Sequence, residues 1–596
     1  MGSTNHESRV SVADAAALSD DAPLAASVDG VDLVVVKRQG SVAVFQGRCP
    51  HEGVLLAEGH LQDGVLTCRG HGWRFDCDTG IKVGDPRVCL HQFAAVVEGG
   101  QVMIECAEIA AWKRVRSNEA ANPPSPGARR HLNISDLPGP KGLPLLGNVL
   151  QFDVKRLHLI LEEWCRAYGP TYAFRLIHRQ IVVISDPEQV NYLLHHRPEL
   201  FRRISGIEAV SKEMGVSGVF SAEGESWRRQ RRLVMQALDT RHLRQFFPKL
   251  SEVTRRLKAR WDFAAAEERM VDVQKDLMRY TVDVTTSLAF GYDMNTLESE
   301  GDVIQQHLEH IFPMVNRRIN APVRYWHWFK LPADRELDHA VAAVRQTIGE
   351  FITRSRRRLA EDPELARQPT NFLEAMLAAQ QEADAPLTDQ EVFGNVFTML
   401  LAGEDTTANT MAWMMHFMCL HPQVQERMQR EVDSVLSESE VLDDIKLAEK
   451  LAFVDAVAME TMRLKPVAPV LFVEPNEDVD VFGLHVPKGT TIMMPTRYNS
   501  LAEAHFPEAD AFKPERWLGG ATGSMHHRTG FLPFGSGPRL CPGRSLALLE
   551  IKTAMSMVCR NFELARAADA DPVEELFVFT MMPTNLRIGF TARRPR

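Results

Sequence analysis

The residues best suited to chemistry surround one cysteine, Cys541, in FLPFGSGPRLCPGRS, residues 531–545. Phe534 is a bulky apolar cover, Arg539 adds a positive charge, and Gly535, Gly537 and Gly543 let the backbone turn tightly and bring N–H groups toward the sulfur. Cations and N–H donors favour a thiolate over a thiol, so this stretch suits a sulfur ligand to iron. The following SLALLEIKTAMSMV has apolar residues at helical spacing. Cys541 is thus expected just before a helix N-terminus, whose partial positive charge acts in the same direction. A cysteine standing alone is otherwise a small buried hydrophobe.

Two further groups carry chemistry. Upstream, Cys49 and His51 form C-x-H and, after sixteen intervening residues, Cys68 and His71 form C-x-x-H. Two cysteines with two histidines suit a structural zinc or an iron–sulfur cluster. In NVFTMLLAGEDTTANTMAWMMHFMCL, residues 395–420, Glu404, Asp405 and Asn409 interrupt an apolar run. A buried core helix therefore fits better than a spanning one, which needs roughly 18 uninterrupted apolar residues. Its acid and hydroxyls are costly to bury without partners or a task. Gly403, next to threonines able to bond back to an earlier carbonyl, allows a local distortion.

The elements that must position these residues fall into two parts. Residues 1–105 read as mainly β, with short runs such as VDLVVV, SVAVF, GVLTC and GQVMIE separated by turns at Asp29-Gly30 and Asp63-Gly64. Residues 106–135 pass from a short basic helical piece into NPPSPG, an extended semi-rigid spacer. Residues 136–596 are rich in helical periodicity. The fold class is multidomain: a small all-β domain, then a mainly α domain with small β-sheets. At 596 residues the chain exceeds one ordinary core, and its 45% hydrophobic and 24% charged residues are those of a globular protein. A net charge of −10 does not suit nucleic-acid binding. Nine cysteines in this length are no secreted disulfide framework, and MGSTNHESRVSVADAAALSD lacks the pattern of a signal peptide, so a cytoplasmic enzyme without a transmembrane segment is expected.

FGSGPRLCPG resembles the heme-binding loop of cytochromes P-450, F-x-x-G-x-R-x-C-x-G, at Phe534, Gly537, Arg539, Cys541 and Gly543. LPGPKGLPLLGN resembles the proline-rich hinge that opens the same domain. The resemblance implies heme b ligated by Cys541, with Trp227 and Arg231 of a W-x-x-x-R helix turned toward a heme propionate and Arg228, Arg229 and Arg232 pointing elsewhere. LLAGEDTTANT is similar to the oxygen-activating motif A-G-x-[DE]-T-T, which implies that Thr406 bonds to dioxygen or its ordered water and that Asp405 relays protons. Glu460, Arg463 and Arg516 resemble the family's structural Glu-Arg-Arg network. One departure stands out: VLFVEPNEDVD, after that helix, offers no cation for a second propionate.

The upstream pattern, followed by Gly72, Trp73 and Phe75, resembles the Rieske [2Fe–2S] fold, implying that Cys49 and Cys68 hold one iron and His51 and His71 the other. Neither CPHEGV nor CRGH carries the extra cysteine of respiratory Rieske proteins, so the domain looks like a soluble ferredoxin; Cys77, Cys89 and Cys106 read as core or surface cysteines. Together the two resemblances imply a heme-thiolate monooxygenase acting on an apolar organic substrate and O2. No G-x-G-x-x-G lies between a strand and a helix, so electrons must come from a separate flavin-dependent NAD(P)H reductase. Two rivals remain. A Rieske non-heme iron oxygenase would need an acid beside His416 and His421, where Trp413 stands. A redox sensor or electron carrier would have no use for the proton-relay motif. Phe201, Val219, Phe220 and Phe312–Met314 are candidates for an apolar pocket, and equally for ordinary core.

Overall fold

The computed structural model describes residues 9–19, 22–38, 40–50, 54–62, 64–69, 73–83, 85–121, 132–298, 311, 314, 315, 317–319, 321, 324–381, 387–518 and 530–593. The chain divides into two compact units: Met1–His131 with Asn191–Arg197 and Gly535–Leu540, and Leu132–Val190 with Pro198–Phe534 and Cys541–Arg596.

The N-terminal part of the first unit is all-β, built from antiparallel pairings. Strand Val31–Arg38 pairs with Leu24–Val28 on one side and Ser41–Gln46 on the other. Asp29 and Gly30 turn the first hairpin at φ 49° and 76°, the left-handed pair whose twist matches the flanking strands. Within VDLVVV, residues 33–36 are continuously apolar because both faces of the strand are buried there. Val34 and Val36 enter a cluster with Phe45, Cys49, Cys68 and Phe75; Val31, Leu33 and Val35 enter another with Val44, Phe93 and Ile104. Period-2 alternation thus feeds two cores from one strand. A meander of five short strands, His60–Gln62, Val65–Thr67, Arg74–Asp76, Ile81–Lys82 and Asp85–Cys89, carries the second cysteine motif. Helix α1, Cys106–Ala121, follows the last strand. NPPSPG lies outside the described residues.

The second unit is mainly helical. Its organising helix, α4 (Asp389–Leu420), follows α2 (Gly224–Ala237) and α3 (Val273–Phe290) and precedes α5 (Ala452–Leu464) and α6 (Arg544–Asn561). Thr388 and Glu391 start α4 with a reciprocal capping box, in which the Glu391 N–H donates to the Thr388 hydroxyl at 3.2 Å and the Thr388 N–H to the Glu391 carboxylate at 2.9 Å. Pro422 stops it by excluding His421 from helical geometry. Apolar side chains are buried around its whole circumference, from Val392 and Phe397 to Met414 and Met418. Each such side chain contributes about 1.5–3 kcal/mol relative to exposure. Helix α3 crosses closest at Gly403, where a Cβ would lie 2.5 Å from the Thr285 hydroxyl. Thr281 donates to the Glu404 carbonyl there at 2.8 Å. The motif's glycine is therefore a packing requirement, and α4 runs unbroken through it.

A five-stranded sheet completes the unit, with β1 (Thr171–Leu176), β2 (Arg179–Ile184), β3 (Phe201–Arg202), β4 (Val470–Pro475) and β5 (Thr491–Pro495) in the order β1-β2-β5-β4-β3. Among the described residues no helix is long and apolar enough to cross a membrane.

Candidate active site

Cys541 lies three residues before the first residue of α6, as its spacing implied. Its N–H donates to the Phe534 carbonyl at 2.9 Å, closing the loop. Gly535 and Gly537 turn at φ 75° and 70°, conformations that a side chain would strain. Gly543 acts differently: its backbone N–H bonds to the sulfur.

Without an iron, burial, the largest influence, pushes the Cys541 thiol above its ordinary pKa; the Gly543 N–H and then the Arg231, Arg203 and Arg544 charges pull it down. Arg539 is buried in the turn Gly537–Arg539, and Cys541 itself keeps exposed surface. A sulfur among N–H and guanidinium donors fits a thiolate-ligated iron, since a metal deprotonates a coordinating thiol outright.

Trp227 and Arg231 are both buried on α2. Their basic neighbours turn away: Arg228 pairs with Glu199 at 2.7 Å and Arg229 with Glu391 at 2.5 Å, while Arg232 is exposed. The cation missing from β4 stands beside it in sequence order of the sheet. Arg203 follows β3, the antiparallel neighbour of β4. Its guanidinium lies 4.0 Å above the Phe220 ring, and its Nε is buried without an acceptor. Burial lowers its pKa against the charges of Glu223 and Cys541. A half-buried cation so placed, with its Nε buried, fits an acidic group of a cofactor. No sequence motif marks Arg203; its place beside β4 is visible only through strand pairing.

In the middle of α4 the burial breaks. Thr398, Ala402 and Thr406, each four residues apart, retain exposed surface and lie along one helical stripe, with Met399, Leu401 and Gly403 partly exposed beside it. Thr406 donates to the Ala402 carbonyl at 2.9 Å. Asp405 is buried, which raises its carboxyl to about 6. Beside it, Asn409 accepts from Gln274 at 2.9 Å and donates to Thr580 at 3.1 Å, so its polarity is structural. Glu550 of α6, which sequence reasoning missed, bonds to the Thr407 hydroxyl; burial raises its carboxyl to about 8. Its signal was an acid in a helix whose neighbours are apolar.

Glu460, Arg463 and Arg516 do come together. Arg463 donates to Glu460 through two nitrogens at 2.9 and 2.8 Å, Arg516 at 3.0 Å, the Trp517 indole at 2.8 Å and the Lys513 N–H at 2.9 Å. The remaining Arg463 N–H groups bond to the Ser500, Ala509 and Ala511 carbonyls. Among the described residues, His416 and His421 belong to no group of acids, histidines and cysteines able to hold a metal ion; burial, then Arg566 and Lys465, lowers His416 to about 4. Of the pocket candidates, Phe201 and Val219 are core, with Phe201 fully buried. Phe220 keeps exposed surface and meets Phe579 at 6.4 Å between ring centroids. Met314 is buried, and Phe312 and Pro313 lie outside the described residues.

In the β domain, Cys49 and Cys68 are buried in one cluster. Each begins a tight loop closed by its own N–H: Cys49 to the Val54 carbonyl at 2.9 Å, Cys68 to the Trp73 carbonyl at 2.7 Å. His51 and His71 belong to these loops but lie outside the described residues. Two buried, unbridged thiols on paired loops fit a cluster ligand set. Cys77 is a core cysteine, pushed up to about 11 by burial; Cys89 and Cys106 are exposed.

Fold and site together define a heme-thiolate oxidoreductase joined to an iron–sulfur domain. Residues 137–590 match the family model "Cytochrome P450", and residues 8–94 match "Rieske [2Fe-2S] domain". The chain belongs to the cytochrome P450 family, as a monooxygenase that carries a Rieske domain, with heme and a [2Fe–2S] cluster as cofactors. It is similar to rabbit (Oryctolagus cuniculus) cytochrome P450 3A6, 27% identical over 443 residues, which span 72% of this chain and 85% of the relative. It is also similar to rat (Rattus norvegicus) thromboxane-A synthase, 26% identical over 466 residues, 71% of this chain and 85% of the relative. Among solved structures, the heme domain of cytochrome P450DA shares the fold at a TM-score of 0.69 and 22% identity, covering 78% of this chain and 99% of that one.

Proposed function

We propose that this enzyme inserts one atom of O2 into an apolar organic substrate, using electrons that reach its own Rieske domain from a separate flavin-dependent NAD(P)H reductase. The observation that carries the reading is the middle of α4, where the partly exposed Thr406 stands next to the buried acid Asp405. Cys541 holds the heme, Cys49, His51, Cys68 and His71 hold the cluster, and the bound heme supplies the chemistry of dioxygen binding and O–O cleavage. Trp227 and Arg231 hold one propionate and Arg203 the other. Phe534 and the N–H of Gly543 screen and steady the sulfur, while Gly535 and Arg539 shape the loop.

The remaining work is proton handling. Thr406, with its hydroxyl lent to the Ala402 carbonyl, can turn that hydroxyl to a bound guest. Asp405, poised to about 6, both takes and gives a proton near neutral pH. Phe220 and Phe579 would offer such a guest apolar contact. The test is spectroscopic. Reduced protein under carbon monoxide will show the red-shifted Soret band of thiolate-ligated heme, and Cys541→Ser will abolish it; a histidine-type band in the unsubstituted protein overturns the reading.

A further inference from the structure

Three polar side chains lie close together on α4, and they are satisfied in two ways. Thr406 and Thr410 donate back to the Ala402 and Thr406 carbonyls at 2.9 and 2.8 Å, inside their own helix. Asn409 reaches outward instead. Its Oδ1 accepts from the Gln274 Nε2 of α3 at 2.9 Å, and its Nδ2 donates to the Thr580 hydroxyl at 3.1 Å. Asparagine is a poor helix former, and an amide buried as fully as this one is costly without partners. Its bonds therefore serve contacts beyond the helix that carries it.

Thr580 shows what one of those contacts holds. It closes the turn Val578–Thr580 between β6 (Glu574–Phe577) and β7 (Met581–Thr584), whose residues Phe577 and Met581 pair across the hairpin. Both are core, packed in one cluster with Trp413. Asp405, Asn409 and Trp413 recur every four residues and so share one stripe of α4. Asn409 holds Thr580, and the Trp413 indole makes a longer bond, 3.5 Å, to the Met581 carbonyl. The stripe that begins at Asp405 is thus the line along which α4 grips the hairpin. Next to the gripped Thr580, Phe579 keeps exposed surface, and its ring meets Phe220 at 6.4 Å between centroids.

We propose that Asn409 is a positioning residue for substrate: by tying the turn to α4 it holds the Phe579 ring in register with Thr406 and Asp405. A ring-bearing apolar guest that rests on Phe579 is then placed by the same helix that handles protons. This rests on the reading that Phe220 and Phe579 offer the substrate apolar contact, and it adds what sets their place. Aromatic contacts depend on the offset and tilt of the rings, so a turn that shifts loses them without unfolding.

The test titrates full-length, heme-loaded protein with imidazole and with 4-phenylimidazole, followed by the Soret shift. The two ligands differ by a phenyl ring, so the ratio of their dissociation constants reads contact with that ring and is insensitive to a general loss of stability. Asn409→Ala and Thr580→Val should each lower the preference for phenylimidazole about fivefold while the carbon monoxide band stays in place. Thr580→Ser, which keeps the hydroxyl, should retain the preference. Phe579→Ala should lower it at least as far, and Asn409→Ala added to Phe579→Ala should change nothing more, because the first acts through the second. If Phe579→Ala lowers the preference but Asn409→Ala and Thr580→Val do not, the positioning role is overturned and the reading of Phe579 stands. If Phe579→Ala leaves the preference unchanged, the apolar contact fails and the positioning role with it. Additive effects in the double variant overturn the proposal as well, since Asn409 would then act by another route.

Discussion

Glu460 and Glu550 are the same residue type, on helices of the same domain, and both are buried almost completely. Their surroundings are opposite. Glu460 accepts five hydrogen bonds, three of them from guanidinium nitrogens of Arg463 and Arg516. Glu550 has the Thr407 hydroxyl, and among the described residues no cation pairs with it. The first is a clamp: its donors arrive from α5 and from the loop around Lys513–Trp517, so the carboxylate joins segments distant in sequence. The second is a buried acid left protonated at neutral pH, one turn of chemistry away from Thr406. Burial does not decide what an acid does; the donors that are buried with it do.

The sharpest way to break this comparison is Glu460→Gln. Two buried guanidiniums would lose their carboxylate, at a cost of about 3–5 kcal/mol in denaturant unfolding. A cost as small as that of an exposed glutamate would show that the clamp is ornamental. Next in size is the proton relay. Asp405→Asn should slow product formation about a hundredfold, and Thr406→Ala should divert NAD(P)H oxidation away from product. Because the Asp405 carboxyl sits near 6, coupling in the unsubstituted enzyme should fall as pH rises through about 6, and Asp405→Asn should flatten that profile. Product-to-NAD(P)H ratios across pH check both.

Glu550→Gln tests the other half of the comparison. Its folded value, about 8, lies above the ordinary 4.5, so the unfolded chain ionises first. Below pH 4.5 the group costs nothing; between 4.5 and 8 the protein loses stability as pH rises, and above 8 the loss levels off. The amide keeps a bond to Thr407 and cannot ionise. It should leave stability unchanged at pH 4 and raise it by about 4 kcal/mol at pH 8, seen in thermal unfolding. A variant no more stable at pH 8 than at pH 4, relative to the parent, would mean that Glu550 has a partner. The smallest effect is expected at Arg203, a cation awaiting an anion: Arg203→Leu should speed heme loss and lower the heme reduction potential, because removing a positive charge favours the oxidised iron.

Much of this was legible before folding. Cys541, Asp405 and Thr406 stand out because each breaks the local pattern: a glycine-rich turn around sulfur, an acid and hydroxyl within an apolar helix. The strands of the β domain follow from β-branched runs between Asp-Gly turns, because register and turn chemistry are local. What failed was local in a different sense. Phe201 and Phe220 are equally apolar in sequence, yet one is core and the other keeps exposed surface, since pairing across β3 and β4 buries only the first. The sequence likewise shows cations near Cys541 but not the burial that opposes them.

The sequence by itself determined the order of the two domains and the reaction class, and it named the candidate metal ligands, because ligation and proton transfer depend on residue type at short spacing. Only the tertiary structure decided which charges act on them. Arg203 reaches the neighbourhood of Cys541 across more than three hundred residues, and Glu550 meets Thr407 between two helices. Electrostatic and desolvation energies depend on distance in space, and a chain states only distance along itself.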